Sequence, residues 1–295
     1  MNIAVGDVFY GACATLLAFS FGRIQGRTIP RITAPVATNH RGLRVPLSLG
    51  TGLAVGYGSL AVFEALEAFP GSAATRTVGI EWLWLLLAMA VVFAAGLYDD
   101  LRPSRVHGVR THFRELRRGH VTSGIVKLVA GVAAAVIAVL GAHPAGWSPG
   151  SARLVLAILL IAGVTNLFNL LDVAPGRALK FGCCLAAGVL VARSSSLAWA
   201  SVGQTAVLLP LDVREKAMLG DAGANLLGFV LGYLLWARLS TVGVAIAVAI
   251  VLVLHALAET VTLTRIIRAT PPLRWFDDLG RLPGVDQGAA SVDGG

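Results

Sequence analysis

The 295 residues predict an all-α fold, a polytopic transmembrane helix bundle of about nine spans. Three observations carry that reading. The composition is 56% hydrophobic with a mean hydropathy of +0.76, and apolar runs recur from end to end. Only 14% of residues are charged, where a soluble domain has roughly a quarter. Lysine and arginine gather in alternate connections between the apolar runs, as the positive-inside rule requires of a multi-pass chain. The net charge of +8 would otherwise suggest nucleic acid. The arginines lie in short loops where membrane orientation accounts for them, so nucleic-acid binding is set aside.

A helix needs about 20 apolar residues to cross the hydrocarbon. The runs at 3–21, 45–63, 81–98, 124–141, 154–171, 181–192, 197–209, 222–236 and 241–263 are the expected spans. The first lacks a basic leader and a cleavage site, which reads as a retained helix. The sixth and seventh are short and rich in small residues. Cys13, Cys183 and Cys184 fall inside apolar runs and read as small buried hydrophobes. Residues 1–270 form the expected membrane domain and 271–295 a tail, whose Gly/Asp/Ala-rich end at 284–295 is expected to be disordered. Of the 24 basic residues, only Arg76, Arg153, Arg193 and Arg238 fall on one side. That asymmetry places the N-terminus outside, the tail in the cytoplasm, and the chain in the plasma membrane.

Asp99, Asp100, Asp172 and Asp221 then all emerge at the cytoplasmic face. Asp99 and Asp100 end the third span, where two adjacent carboxylates oppose the helix dipole. Either the arginines that follow, Arg102 and Arg105, compensate them, or a divalent metal does; Mg²⁺ takes one or two carboxylates and completes its shell with water and phosphate oxygens. Asp221, in Gly220-Asp221-Ala222-Gly223, would either cap the eighth span or belong to the same ionic site. Asn166 and Asn169 share a helix face, suited to bonding another helix or to reading a ligand's polar edge.

In this order the motifs resemble the polyprenyl-phosphate N-acetylhexosamine-1-phosphate transferases, which include phospho-N-acetylmuramoyl-pentapeptide transferase. The Asp99-Asp100 pair resembles the family's first acidic motif. Asn166-Leu-Phe-Asn169-Leu-Leu-Asp172 resembles its Asn-x-x-Asn-Leu-x-Asp motif, and Gly220-Asp221-Ala-Gly223 with Gly228-Phe229 its Gly-Asp-x-Gly motif. Lys127 stands where the family has a lysine, Glu259-Thr260 is similar to its late Glu-Thr helix, and Pro46 with Gly50 and Gly52 to an early turn. The resemblance covers roughly residues 35–270. It implies Mg²⁺-dependent transfer of a sugar 1-phosphate from a UDP-sugar to a polyprenyl phosphate, for cell-wall biogenesis. It implies Asp99, Asp100 and Lys127 as catalytic residues, Asp221 and Asp99 as metal ligands, and Asn166, Asn169, Asp172 and Glu259 as substrate-binding residues. A homodimer is compatible with the sequence, which does not fix the oligomeric state.

Three departures stand beside these matches. Where the family continues Asp-Gly-x-Asp-Gly-Leu, this chain has Asp172-Val173-Ala174-Pro175-Gly176-Arg177, and proline supplies neither a carboxylate nor a backbone donor. The family's histidine-rich loop is replaced by a stretch holding Arg274, Trp275, Asp277 and Asp278, a charged tail of the kind usually solvated. A tenth span is not found. A catalytically altered member that binds lipid-linked intermediates or envelope-assembly partners is the alternative. A transporter would carry mid-membrane charges and repeated halves, and neither is evident. His255 and Glu259, four apart on the last span, form either a functional pair or a local helix-stabilising one.

Overall fold

The computed structural model describes residues 5–28, 36–38, 42–102, 109–142 and 152–282. Among these, the chain forms twelve helices and one two-stranded antiparallel hairpin. In chain order they are α1 (Val5–Thr28), β1 (Val36–Thr38), β2 (Arg44–Pro46), α2 (Leu49–Ala68), α3 (Ala73–Leu101), α4 (Val109–Arg117), α5 (Ser123–Gly141), α6 (Ala152–Leu171), α7 (Arg177–Ala192), α8 (Ser196–Val213), α9 (Gly220–Arg238), α10 (Thr241–Thr260), α11 (Leu263–Ala269) and α12 (Pro271–Asp278). The all-α expectation holds, and each of the nine expected spans coincides with a helix. Six of them, α1, α2, α3, α5, α6 and α10, are long and apolar enough to cross a membrane by length and composition.

Local chemistry shifts several boundaries. The second span starts later than its apolar run, because Arg44–Pro46 pairs with Val36–Thr38 as a strand before α2 begins at Leu49. The third span starts earlier, at Ala73, where the Ser72 side chain accepts the Thr75 N–H and supplies one of the partners a helix start lacks. The sixth and seventh are longer than their runs; α8 continues to Val213 despite Pro210. Among the cysteines, all free, Cys184 is exposed and Cys13 and Cys183 are half-buried, so the expectation of burial is corrected: these small side chains lie on outer helix faces. Residues 283–295 lie outside the described residues.

The core is organised around α9. Every residue from Ala222 to Gly232 is buried, the state of a helix apolar on all sides. It packs against α2, α3, α6 and α7. Its first turn is wedged between α2 and α3 by glycines. A Cβ on Gly96 would lie 2.5 Å from Ala222 Cα, and one on Gly50 would lie 2.6 Å from Gly223 N. These contacts bring the two backbones together at the end of α9 that carries Asp221. The chain before α9 is held there too: Met218 N donates to Pro46 O at 3.0 Å, and Leu49 N donates to Met218 O at 3.3 Å.

Candidate functional site

The site forms where the last turn of α3, the first turns of α5 and α9, and the end of α6 meet. The Thr122 hydroxyl accepts the Ile125 N–H and starts α5, so Lys127 projects from its first turns. Its ammonium donates to Asp99 Oδ2 and, at 2.7 Å, to Asp221 Oδ2. Asn169, two residues before the end of α6, orients its amide nitrogen to Asp221 Oδ1 at 2.9 Å and its oxygen to Lys127 Nζ at 3.2 Å. One lysine, two carboxylates and an amide thus converge from four helices. The Lys127, Asp99 and Asp221 side chains are 17%, 11% and 32% exposed, so the Asp221 side faces outward.

Asp100 does different work. Its carboxylate accepts the backbone N–H groups of Asp221 at 2.9 Å and Ala222 at 3.0 Å. Leu219, at the cap position of α9, has no side chain able to do this; α3 supplies the missing cap from 121 residues away. Gly220 permits the approach. Its φ is +70°, a left-handed value that glycine adopts without steric cost, and an added Cβ would stand 3.0 Å from Asp100 Oδ2.

Among the described residues, the compensation expected for the Asp99-Asp100 pair does not come from Arg102. Arg102 lies over the Tyr98 ring, 5.6 Å from its centroid, and Arg105 lies outside the described residues. Lys127 neutralises Asp99, and the positive N-terminal end of α9 accommodates Asp100. Asp221 does not cap its own helix but turns to Lys127.

The two asparagines of α6 part company. Asn169 joins the site, whereas Asn166 Nδ2 lies 2.9 Å from His255 Nε2 on α10. His255 Nδ1 lies 2.8 Å from Val251 O. The carbonyl only accepts, so Nδ1 carries the proton and Nε2 accepts from the amide. Glu259 lies on α10, and its side chain falls outside the described residues. Asp172, just past α6, faces the Gly220 backbone N–H. Burial, then the charges of Asp212, Asp221 and Asp100, raise its carboxyl well above the ordinary carboxylate range.

The group missed in the sequence is Arg177. It is fully buried at the start of α7 and grips Asp277 of α12 with two hydrogen bonds, Nε to Oδ1 and Nη2 to Oδ2, both 2.8 Å. The expectation of a solvated tail is corrected for Asp277, which is 2% exposed, while Arg274, Trp275 and Asp278 are exposed as expected. Burial raises its carboxyl, but Arg177, with Arg281 and Lys180, outweighs this and holds it below the usual carboxylate range.

Among the described residues, no three His, Cys, Asp or Glu side chains form a group able to hold a metal ion. Mg²⁺, however, needs only one or two carboxylates. Asp99 Oδ1 is buried with no hydrogen-bond partner, an unmet acceptor beside Asp221. The residues present fit that ion.

No curated protein matches the chain. The model of glycosyl transferase family 4 matches residues 82–238, just over half of the chain, and takes in Asp99, Asp100, Lys127, Asn169, Asp172 and Asp221. The chain belongs to glycosyl transferase family 4, within the polyprenyl-phosphate sugar-1-phosphate transferases.

Proposed function

We propose that this membrane protein transfers a sugar 1-phosphate from a UDP-sugar to a polyprenyl phosphate, at the cytoplasmic face of the plasma membrane, for cell-envelope glycan synthesis. The observation that carries this reading is the convergence of Asp99, Asp221 and Asn169 on Lys127. An oxygen of the lipid phosphate attacks the phosphorus that bears the sugar. The bond from that phosphorus to the bridging oxygen breaks, and UMP leaves with the electron pair. The product is a polyprenyl diphosphate sugar.

Such a transfer asks the protein mainly for positioning and charge neutralisation. Lys127 brings a positive charge to the phosphoryl oxygens. Asp99 and Asp221 would hold Mg²⁺, which when bound supplies Lewis-acid neutralisation of the diphosphate. Asn169 fixes the Asp221 rotamer through one amide nitrogen and faces Lys127 with its oxygen. Asp100 keeps the first turn of α9 in place, so Asp221 and Lys127 stay in register. The glycines at the α3–α9 crossing make the same register a property of the backbone.

The test is UMP release by purified protein given polyprenyl phosphate, Mg²⁺ and a panel of UDP-sugars, with Asp221→Asn as control. Release that requires Mg²⁺ and disappears in the variant supports the reading. Folded protein that releases no UMP with any donor would favour a member that binds lipid-linked intermediates without turning them over.

A further inference from the structure

α12 follows α11 closely and folds back onto the connection between α6 and α7. Arg177 anchors it through the two-pronged grip on Asp277, and its remaining Nη1 donates to Thr264 Oγ1 on α11 at 2.8 Å. Arg281 Nη2 donates to Asp277 Oδ1 at 2.7 Å, while its Nε donates to Pro175 O at 3.1 Å. Lys180 Nζ donates to the carbonyls of Asp277 and, at 3.2 Å, Phe276. The Phe276 ring meets Phe181 edge-on, with centroids 5.5 Å apart.

The same short connection is held from the opposite side. Gly176 N donates to Asp212 Oδ2 at 3.0 Å, and Asp172 faces the Gly220 N–H, one residue before Asp221. Residues 172–177 therefore sit between the tail and the first turn of α9. Three of the four helices that bring in the reacting groups, α3, α5 and α9, pack on one another without this connection.

We infer that Asp277 is a positioning residue for the candidate site: by clamping Arg177 it fixes the 172–177 connection, and with it Asp172, taken here as a donor-binding residue beside Asp221, so that the tail sets donor binding rather than the transfer step. This rests on the transferase reading above. The physical reason is directional. A bidentate guanidinium–carboxylate pair fixes plane as well as distance, and Arg177 buried without its carboxylate would be an unpaired interior charge. The connection would have to move to solvate it. Lys127, Asp99 and Asp221 take no bond from the tail among the described residues, so their geometry would persist.

The experiment pairs hydrogen exchange with steady-state kinetics on the full chain, for wild type, Asp277→Ala, Asp277→Glu and Arg281→Ala. In Asp277→Ala, exchange at residues 172–180 and at the Gly220 N–H should rise about tenfold, while peptides of α3, α5 and the rest of α9 stay unchanged. The donor KM should rise about tenfold, with kcat within about threefold of wild type. Asp277→Glu should recover most of both. Arg281→Ala should shift both in the same direction by less, which keeps the test decisive if Asp277→Ala fails to fold. Exchange at 172–180 matching wild type overturns the clamp. A loosened connection with unchanged donor KM, or a loss carried by kcat, overturns the positioning role. A wild-type protein that releases no UMP overturns the transferase reading instead, and is distinguishable because the exchange result stands apart from turnover.

Discussion

Lys127 reaches from the first turns of α5 to Asp221 in the first turn of α9, with Nζ 2.7 Å from Oδ2, and holds Asp99 of α3 with the same ammonium. Three helices thus share one cation. Removing it leaves two neighbouring carboxylates with no common partner. Lys127→Ala is expected to lower UMP release by about a hundredfold to a thousandfold, the usual cost of one electrostatic contact to a reacting phosphate. Lys127→Met, similar in length and uncharged, should lose as much. A steady-state rate within tenfold of wild type in either variant would contradict the role.

Asp100 and Asp221 should respond differently to the same isosteric change. Both Asp100 oxygens are occupied by backbone N–H groups. Asparagine keeps one acceptor there, so Asp100→Asn should retain turnover within about tenfold. Asp100→Ala should cost about 2–3 kcal/mol of stability, since a buried donor left unpaired loses its desolvation compensation. Asp99→Asn and Asp221→Asn should instead keep the fold and lose about a thousandfold in rate. Thermal unfolding and UMP release, run on all four variants, separate the two behaviours.

The α3–α9 crossing makes a steric prediction. Gly96→Val would press a branched side chain into Ala222 Cα and Asp221 O, which lie 2.5 and 2.6 Å from an added Cβ. Overpacking of this kind costs about 1–3 kcal/mol. Because the displaced segment carries Asp221, activity should fall further than stability does. Equal activity at a temperature where both proteins are folded would argue against the backbone setting that register.

The proposed function makes Mg²⁺ dependence an expected outcome. Chelation should abolish UMP release, and added Mg²⁺ should restore it. The residual rate of Asp221→Asn should need about tenfold more Mg²⁺ for its half-maximal value, because one of two carboxylate donors is lost. A chelator-insensitive rate would exclude the ion from the reaction.

The tail should come away in acid. Asp277 is held below the ordinary carboxylate value of 3.8 by Arg177, against the opposing effect of burial. A carboxyl depressed in the folded state contributes stability that is fully present above its unfolded value. That contribution is lost as pH falls through the folded value. Exchange protection of α12 should therefore be flat from neutral pH down to about 4 and collapse below it. In Asp277→Asn the acid step should be absent.

Much of this architecture was legible without coordinates. Apolar runs mark each of the nine long helices among the described residues, because lipid-facing and core-facing residues are alike apolar, although only six of these helices are long and apolar enough to signal a crossing by themselves. Asp99, Asn169 and Asp221 could be singled out because ionisable and amide groups at the ends of apolar segments stand out against their surroundings, whereas Lys127 is picked out by the family resemblance. Other things depended on tertiary structure. That Asp100 caps a helix 121 residues away cannot be read from either segment, since the cap residue local to α9 is a leucine. That Asn166 and Asn169 serve different neighbours depends on where α10 packs. Arg177 and Asp277 each look like an ordinary loop or tail charge, and only folding buries them together, 100 residues apart in sequence. The membrane-spanning pattern is a property of composition along the chain. The pairing of charges is a property of which helix ends meet, and that is settled by small-residue contacts such as Gly96 on Ala222.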